Sequence, residues 1–122
     1  MGLLIPEDFP LDRIPSSERR VVRDFQSNLK DSWLIVPRLG LVDERRPYEI
    51  DVLLLNHQYG MVGVEVKGGP FEIRSGEWYR RGEMVEPSPP RQAISSSYAL
   101  RDRLKELSPD LLGFVHVQPA VA

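Results

Sequence analysis

The feature that most constrains this chain is the stretch from Tyr48 to Lys67, two β-forming runs joined by His57-Gln58-Tyr59-Gly60. Val52-Leu53-Leu54-Leu55 is too apolar to be solvated on both faces, so the first run belongs inside a sheet. The connection after it is short, so the second run, Met61 to Lys67, returns antiparallel to the first. Side chains alternate along a strand. Val62, Val64 and Val66 therefore share one face, and Glu65 and Lys67 stand side by side on the other. Asp51 sits among Ile50, Val52 and Leu53. Paired strands lie ~4.8 Å apart, so Asp51 comes within reach of Glu65 if the register puts both on one face.

The rest of the chain is organised around this hairpin. Residues 1–14 read as an irregular N-terminal lead-in, broken by Pro6 and Pro10, and the domain proper occupies 15–122. Pro15-Ser16-Ser17 reads as a helix start with a serine N-cap, and the helix is expected from Ser17 to Lys30. Val22, Phe25 and Leu29 form its apolar stripe, and Glu18, four residues before Val22, lies on that same stripe. Trp33-Leu34-Ile35-Val36 reads as a strand closed by Pro37, with Leu39-Gly40-Leu41 as a candidate extension and Asp43 to Pro47 as a charged connection. After Lys67, Gly68-Gly69-Pro70 breaks the strand. Phe71–Arg74 and Trp78–Arg80 read as a second hairpin around Ser75-Gly76. A helix is expected from Arg91 to Leu107, stopped by Ser108-Pro109, and a last strand from Gly113 to Val117. Helix, three strands, hairpin, helix and strand imply a layered α/β or α+β domain, with a mixed central sheet flanked by two helices.

Composition removes several classes of function. Net charge is −2, so bulk charge does not hold this protein on nucleic acid. Any such role has to rest on local basic groups and a bound cation. Arg74, Arg80, Arg81, Arg91, Arg101 and Arg103 are candidates for phosphate contact, but acids are interleaved with them almost one for one. Cysteine is absent, which excludes disulfides, thiolate metal sites and cysteine nucleophiles and fits a cytoplasmic location. No apolar run approaches the ~20 residues of a membrane span, and the N-terminus lacks the basic start and apolar core of a secretory leader. The apolar end, Ala120-Val121-Ala122, suggests a piece of a longer protein.

Carboxylates on a partly buried sheet are costly unless compensated. A hard divalent cation such as Mg²⁺ compensates them. It polarises a phosphoryl oxygen and lowers the pKa of a bound water, and a lysine alongside stabilises charge developing on the phosphate. Asp51, Glu65 and Lys67 on one sheet face thus suit phosphodiester hydrolysis, and Glu18 could add a third carboxylate from above the sheet. Neither a Ser/His/Asp set nor a P-loop or dinucleotide fingerprint is evident. Blander readings stand beside this one. Glu65 and Lys67 also read as an exposed ion pair, Glu18 as an acid favoured in a first helical turn, and Gln92 as an early helix residue.

Several motifs carry a resemblance. Asp51 followed by Glu65-Val66-Lys67 resembles the PD-(D/E)XK nuclease pattern, with Ile50 in place of its proline. Glu49-Ile50-Asp51, Val64-Glu65-Val66-Lys67-Gly68-Gly69, Gly76-Glu77-Trp78 and Ser88-Pro89-Pro90-Arg91-Gln92-Ala93 resemble the NERD (nuclease-related) domain over roughly Pro15 to Val117. Ser88 stands where the family pattern usually has asparagine. The resemblance implies a restriction-endonuclease-like core and divalent-metal-dependent DNA cleavage with Mg²⁺ or Mn²⁺. It implies Glu18, Asp51, Glu65, Lys67 and Gln92 as site residues, with Asp51, Glu65 and the Val66 carbonyl as metal ligands. It also implies DNA as partner, a fused or associated helicase or kinase module, and homodimers as one route to cutting both strands. The alternative is a non-cleaving nucleic-acid-binding or targeting module in a larger protein, or a protein-interaction module on the same fold.

Overall fold

A computed structural model describes residues 1–43, 45–107 and 116–122, the side chain of Asp43 excepted. Its elements in order are β1 (Leu3–Leu4), α1 (Ser16–Asn28), β2 (Leu34–Asp43), β3 (Arg46–Asn56), β4 (Gly60–Glu65), β5 (Glu72–Arg74), β6 (Glu77–Arg80), β7 (Glu83–Met84), α2 (Pro89–Leu107) and β8 (Val117–Val121). Five strands form one mixed sheet in the order β1-β2-β3-β4-β8, and β5-β6-β7 form a separate small sheet. β3 runs antiparallel to both β2 and β4, while β1 runs parallel to β2 and β8 parallel to β4. α2 bridges the β4-to-β8 crossover and packs on both strands. This is the α/β architecture of a restriction-endonuclease-like core.

The central hairpin forms as its sequence dictates. The Asn56 carboxamide oxygen accepts the N–H groups of Gln58 and Tyr59 at 2.8 and 3.0 Å, and Gly60 takes φ 95, closing the turn with no side-chain clash. Val52, Leu54, Val64 and Val66 join Val22 of α1 and Ile35 in one buried cluster. Ile50, Leu53, Leu100 of α2 and Val117 form a second cluster on the opposite side of the sheet.

Five expectations need correction. Pro37 does not close β2, which runs on through the Leu39-Gly40-Leu41 extension to Asp43 with Pro37 paired to Val52, and most of the expected Asp43–Pro47 connection is ladder, since Val42 pairs with Pro47 and Asp43 with Arg46. β1 pairs only with Leu34 and Ile35, so the other edge of β2 is open by Pro37 and a missing N–H is tolerated there. The lead-in is not wholly irregular. Leu3-Leu4 forms a strand, and the Arg19 side chain fixes the following segment by donating to the carbonyls of Leu11, Asp12 and Ile14 at 2.9, 3.2 and 3.1 Å. The α1 N-cap is Pro15, with no side-chain cap, so neither serine caps the helix. The small sheet has a third strand, β7, beyond the expected hairpin. The final strand expected at Gly113 to Val117 lies mostly outside the described residues, and the described strand starts at Val117.

The central ladder carries one irregularity. Val36 and Leu39 of β2 both pack with the α2-side cluster, as do Ile50 and Leu53 of β3. Strict alternation would put residues three apart on opposite faces. The ladder pairs Pro37 with Val52 and Leu39 with Ile50 but not Arg38 with Asp51 between them, and Arg38 takes φ 50. Both strands therefore switch faces at the Arg38–Asp51 step.

Candidate active site

The β3–β4 ladder ends at Val52↔Val64, and Asp51 and Glu65 are the next residues of the two adjacent strands. The regular ladder stops there because the Val66 N–H donates to Oδ2 of Asp51 at 2.9 Å, so the side chain takes the place of a strand partner. Glu65, at the end of β4, is 8% exposed. Its Oε1 lies 3.2 Å from Nζ of Lys67, so the two residues do share a face, as alternation requires. Main-chain bonds from β8 extend past the strand and hold this segment. Ala122 N–H donates to the Glu65 carbonyl at 2.9 Å, and Lys67 N–H donates to the Ala122 carbonyl at 3.1 Å.

Burial is the main cause pushing the Asp51 carboxyl above its ordinary value, and the charges of Glu18 and Glu49 push the same way. The Val66 N–H and the Lys67 charge oppose this without cancelling it. Glu65 is likewise pushed up, first by burial and then by the Asp51 charge, despite its contact with Lys67. Two hard oxygen donors thus influence each other's charge, and the neighbouring Lys67 and Val66 N–H do not offset their burial. That chemistry fits a divalent cation held by Asp51, Glu65 and the Val66 carbonyl.

Glu18 is brought to this end of the sheet by the first turn of α1. That turn lies close enough for a Cβ built on Gly68 to meet the Ser17 Cβ at 3.5 Å. Its carboxylate is engaged by an arginine of β2. Arg38 Nε donates to Oε2 at 3.0 Å and Nη2 donates to Oε1 at 3.2 Å. Among the described residues, no group of three or more His, Cys, Asp or Glu side chains is arranged to hold a metal. Gln92 sits in the first turn of α2, where its Nε2 donates to the Pro87 carbonyl at 2.7 Å. Its described hydrogen bond secures the loop before the helix rather than the acids. Arg38 is the residue that the sequence reading missed. Its signal was an arginine at the point where the apolar pattern of β2 slips by one position.

A mixed sheet between two helices, with Asp51 facing Glu65-Val66-Lys67 at one end, defines a nuclease-type α/β domain. The chain belongs to the NERD family: the model of the family described as Nuclease-related domain matches residues 16–122. Its function is accordingly nuclease-related. No curated protein matches the chain. No solved structure matches it either. No described helix is long and apolar enough to cross a membrane.

Proposed function

We propose that this domain hydrolyses phosphodiester bonds in DNA with the help of Mg²⁺ or Mn²⁺. The observation that carries the reading is the pair of under-compensated carboxylates, half-buried Asp51 and buried Glu65, with Lys67 Nζ 3.2 Å from Glu65. A divalent cation, when bound, supplies Lewis acidity toward a phosphoryl oxygen and toward water. Asp51 and Glu65 provide carboxylate oxygens for it, and the Val66 carbonyl is a third donor. The Val66 N–H holds the Asp51 carboxylate in one orientation, so the donors need little rearrangement. The Lys67 ammonium stands where it can donate to a nonbridging phosphate oxygen and stabilise the charge that grows there. Gln92 steadies the loop into α2 at the entrance to that helix.

The test is cleavage of supercoiled and linear DNA in Mg²⁺ or Mn²⁺, with EDTA as control, for the wild type, Glu65→Ala and Lys67→Ala. Cleavage by the wild type should vanish with EDTA and in both variants. If all three proteins are equally inert with every divalent ion, the hydrolytic reading fails and the non-cleaving DNA-binding module takes its place.

A further inference from the structure

Arg38 differs from Arg74, Arg101 and Arg103, three of the arginines that composition suggested as phosphate contacts. Arg74 pairs with Glu72 at 3.2 Å and lies 4.2 Å from the Tyr79 ring centre, Arg101 pairs with Asp102 at 3.3 Å, and Arg103 pairs with Glu106 at 3.0 Å. Those pairs join neighbours in sequence on β5–β6 or on α2. Arg38 instead reaches from the middle of β2 to the first turn of α1, at the acidic end of the sheet.

Three features of this contact go beyond an ordinary ion pair. First, Arg38 has φ 50 inside a strand, a left-handed conformation that is unfavourable for any residue with a Cβ. Strain of this kind is concentrated where a side chain must be aimed. Second, the partners are unequally exposed: the Glu18 side chain is 11% exposed and that of Arg38 is 36%. The buried carboxylate is the anchor, and the guanidinium is the part presented to solvent. Third, Glu18 occupies Nε and Nη2, and Nη1 makes no hydrogen bond among the described residues. A guanidinium has five donor N–H groups in a rigid fork, so a full edge remains for an anion. The more distant Glu49, whose Oε1 is 3.9 Å from Nε, touches the same side that Glu18 already holds.

Charge gives this edge a purpose. Glu18, Glu49, Asp51 and Glu65 against Lys67 alone would repel a phosphodiester. Arg38 neutralises Glu18 and still has donors to offer. Resting on the phosphodiester-cleaving function proposed for this site, we propose that Arg38 binds a phosphate of the DNA backbone through its free edge. On this proposal Glu18 is a positioning residue that aims the guanidinium rather than a ligand of the cation.

The experiment measures binding of a fluorescein-labelled duplex by anisotropy across a salt series, in EDTA so that nothing is cut. The proteins are the wild type, Arg38→Gln, Arg38→Lys, Glu18→Gln and the Arg38→Gln/Glu18→Gln double variant. Arg38→Gln should weaken binding about tenfold and lower the slope of log affinity against log salt by about one. Arg38→Lys keeps the charge but not the fork, so it should retain the slope with several-fold weaker binding. Glu18→Gln should weaken binding by less than Arg38→Gln, and the double variant should be no weaker than Arg38→Gln alone. Mn²⁺ uptake, followed by titration calorimetry, should survive in Glu18→Gln and be lost in Glu65→Gln. An unchanged slope in folded Arg38→Gln, an Arg38→Lys affinity equal to wild type, or loss of Mn²⁺ uptake in Glu18→Gln would each overturn the proposal. A protein that binds DNA with an Arg38-dependent slope but cuts nothing ends the hydrolytic reading and keeps this inference. A protein that cuts DNA and is indifferent to Arg38 does the reverse.

Discussion

Two acid–base pairings stand within one site and are finished to different degrees. Glu18 and Arg38 satisfy each other with two hydrogen bonds, at 3.0 and 3.2 Å. The bond to Glu18 is the main reason the Arg38 guanidinium is held above its ordinary pKa. Glu65 and Lys67 make one contact at 3.2 Å, and the Asp51 carboxylate accepts a main-chain N–H from Val66. Burial outweighs that support, and both Asp51 and Glu65 are pushed up. A compensated pair holds a side chain in place. An under-compensated pair leaves an unmet demand for positive charge, and a demand of that kind in a folded protein marks a binding or reacting centre.

The strongest test of this contrast is cleavage itself. Glu65→Gln keeps the shape but removes the charge, and should lower the rate at saturating Mg²⁺ by at least about 100-fold. Glu18→Gln should cost less than about tenfold, mainly in KM, because the Arg38 charge remains and only the charge-assisted contact that aims it is loosened. Equal losses in rate would erase the distinction between the pairings.

A smaller effect appears in stability without metal, and its sign is opposite to the effect on activity. The folded carboxyls of Asp51 and Glu65 bind protons more tightly than the same groups in the unfolded chain. Their protonation therefore favours the folded state. This stabilisation is complete below the ordinary carboxylate range and is lost as pH rises through the elevated folded values. In EDTA, the thermal midpoint should rise as pH is lowered from neutral toward that range. Glu65→Gln should melt higher than wild type at neutral pH, by about 3–5 °C if the relief is ~1 kcal/mol. Mg²⁺ should raise the wild-type midpoint at neutral pH and leave that of Glu65→Gln unchanged. Calorimetry that finds Glu65→Gln less stable at neutral pH in EDTA would mean that Lys67 already compensates Glu65.

The sequence made some of this legible and hid the rest for physical reasons. The β3–β4 hairpin, the shared face of Glu65 and Lys67, and the opposing valines follow from local rules, a short turn and a period of two. The extent of β2 depends on which sheet edge is open at Pro37, and that was set by Leu3-Leu4, a strand too short to show any period. β8 carries Gln118-Pro119 in its interior, which reads as a break and is tolerated on an edge strand. Arg38 was hidden because alternation assumes a regular strand, whereas β2 and β3 switch faces together there. The trace that remains is the three-residue spacing of Val36 and Leu39 within one cluster. Glu18 was visible as an acid on an apolar stripe, but its partner was not, since the two lie 20 residues apart.

The smallest expected effect sharpens the contrast by asking whether every unmet polar group here is functional. Ser97 of α2 is buried, and its hydroxyl has no hydrogen-bond partner among the described residues. It faces Gly63 of β4, where an added Cβ would meet its Oγ at 2.8 Å. The next contacts of that Cβ, at 3.6 Å to Val117 and 3.8 Å to Ile50, are ordinary. This orphan lies in the apolar seam between α2 and the sheet, and the mechanism assigns it no part. Ser97→Ala should therefore leave cleavage unchanged and stabilise by at most ~1 kcal/mol, since a buried donor and acceptor without partners is removed. Gly63→Ala should destabilise by about 1–3 kcal/mol through overpacking. The same change in the Ser97→Ala background should cost distinctly less, because the one short contact is gone. A double-mutant cycle by chemical denaturation reads the coupling directly. Equal costs in the two backgrounds would place the strain elsewhere in the seam. A loss of cleavage in folded Ser97→Ala would mean that unmet polarity at this seam, like that at Asp51 and Glu65, belongs to the site.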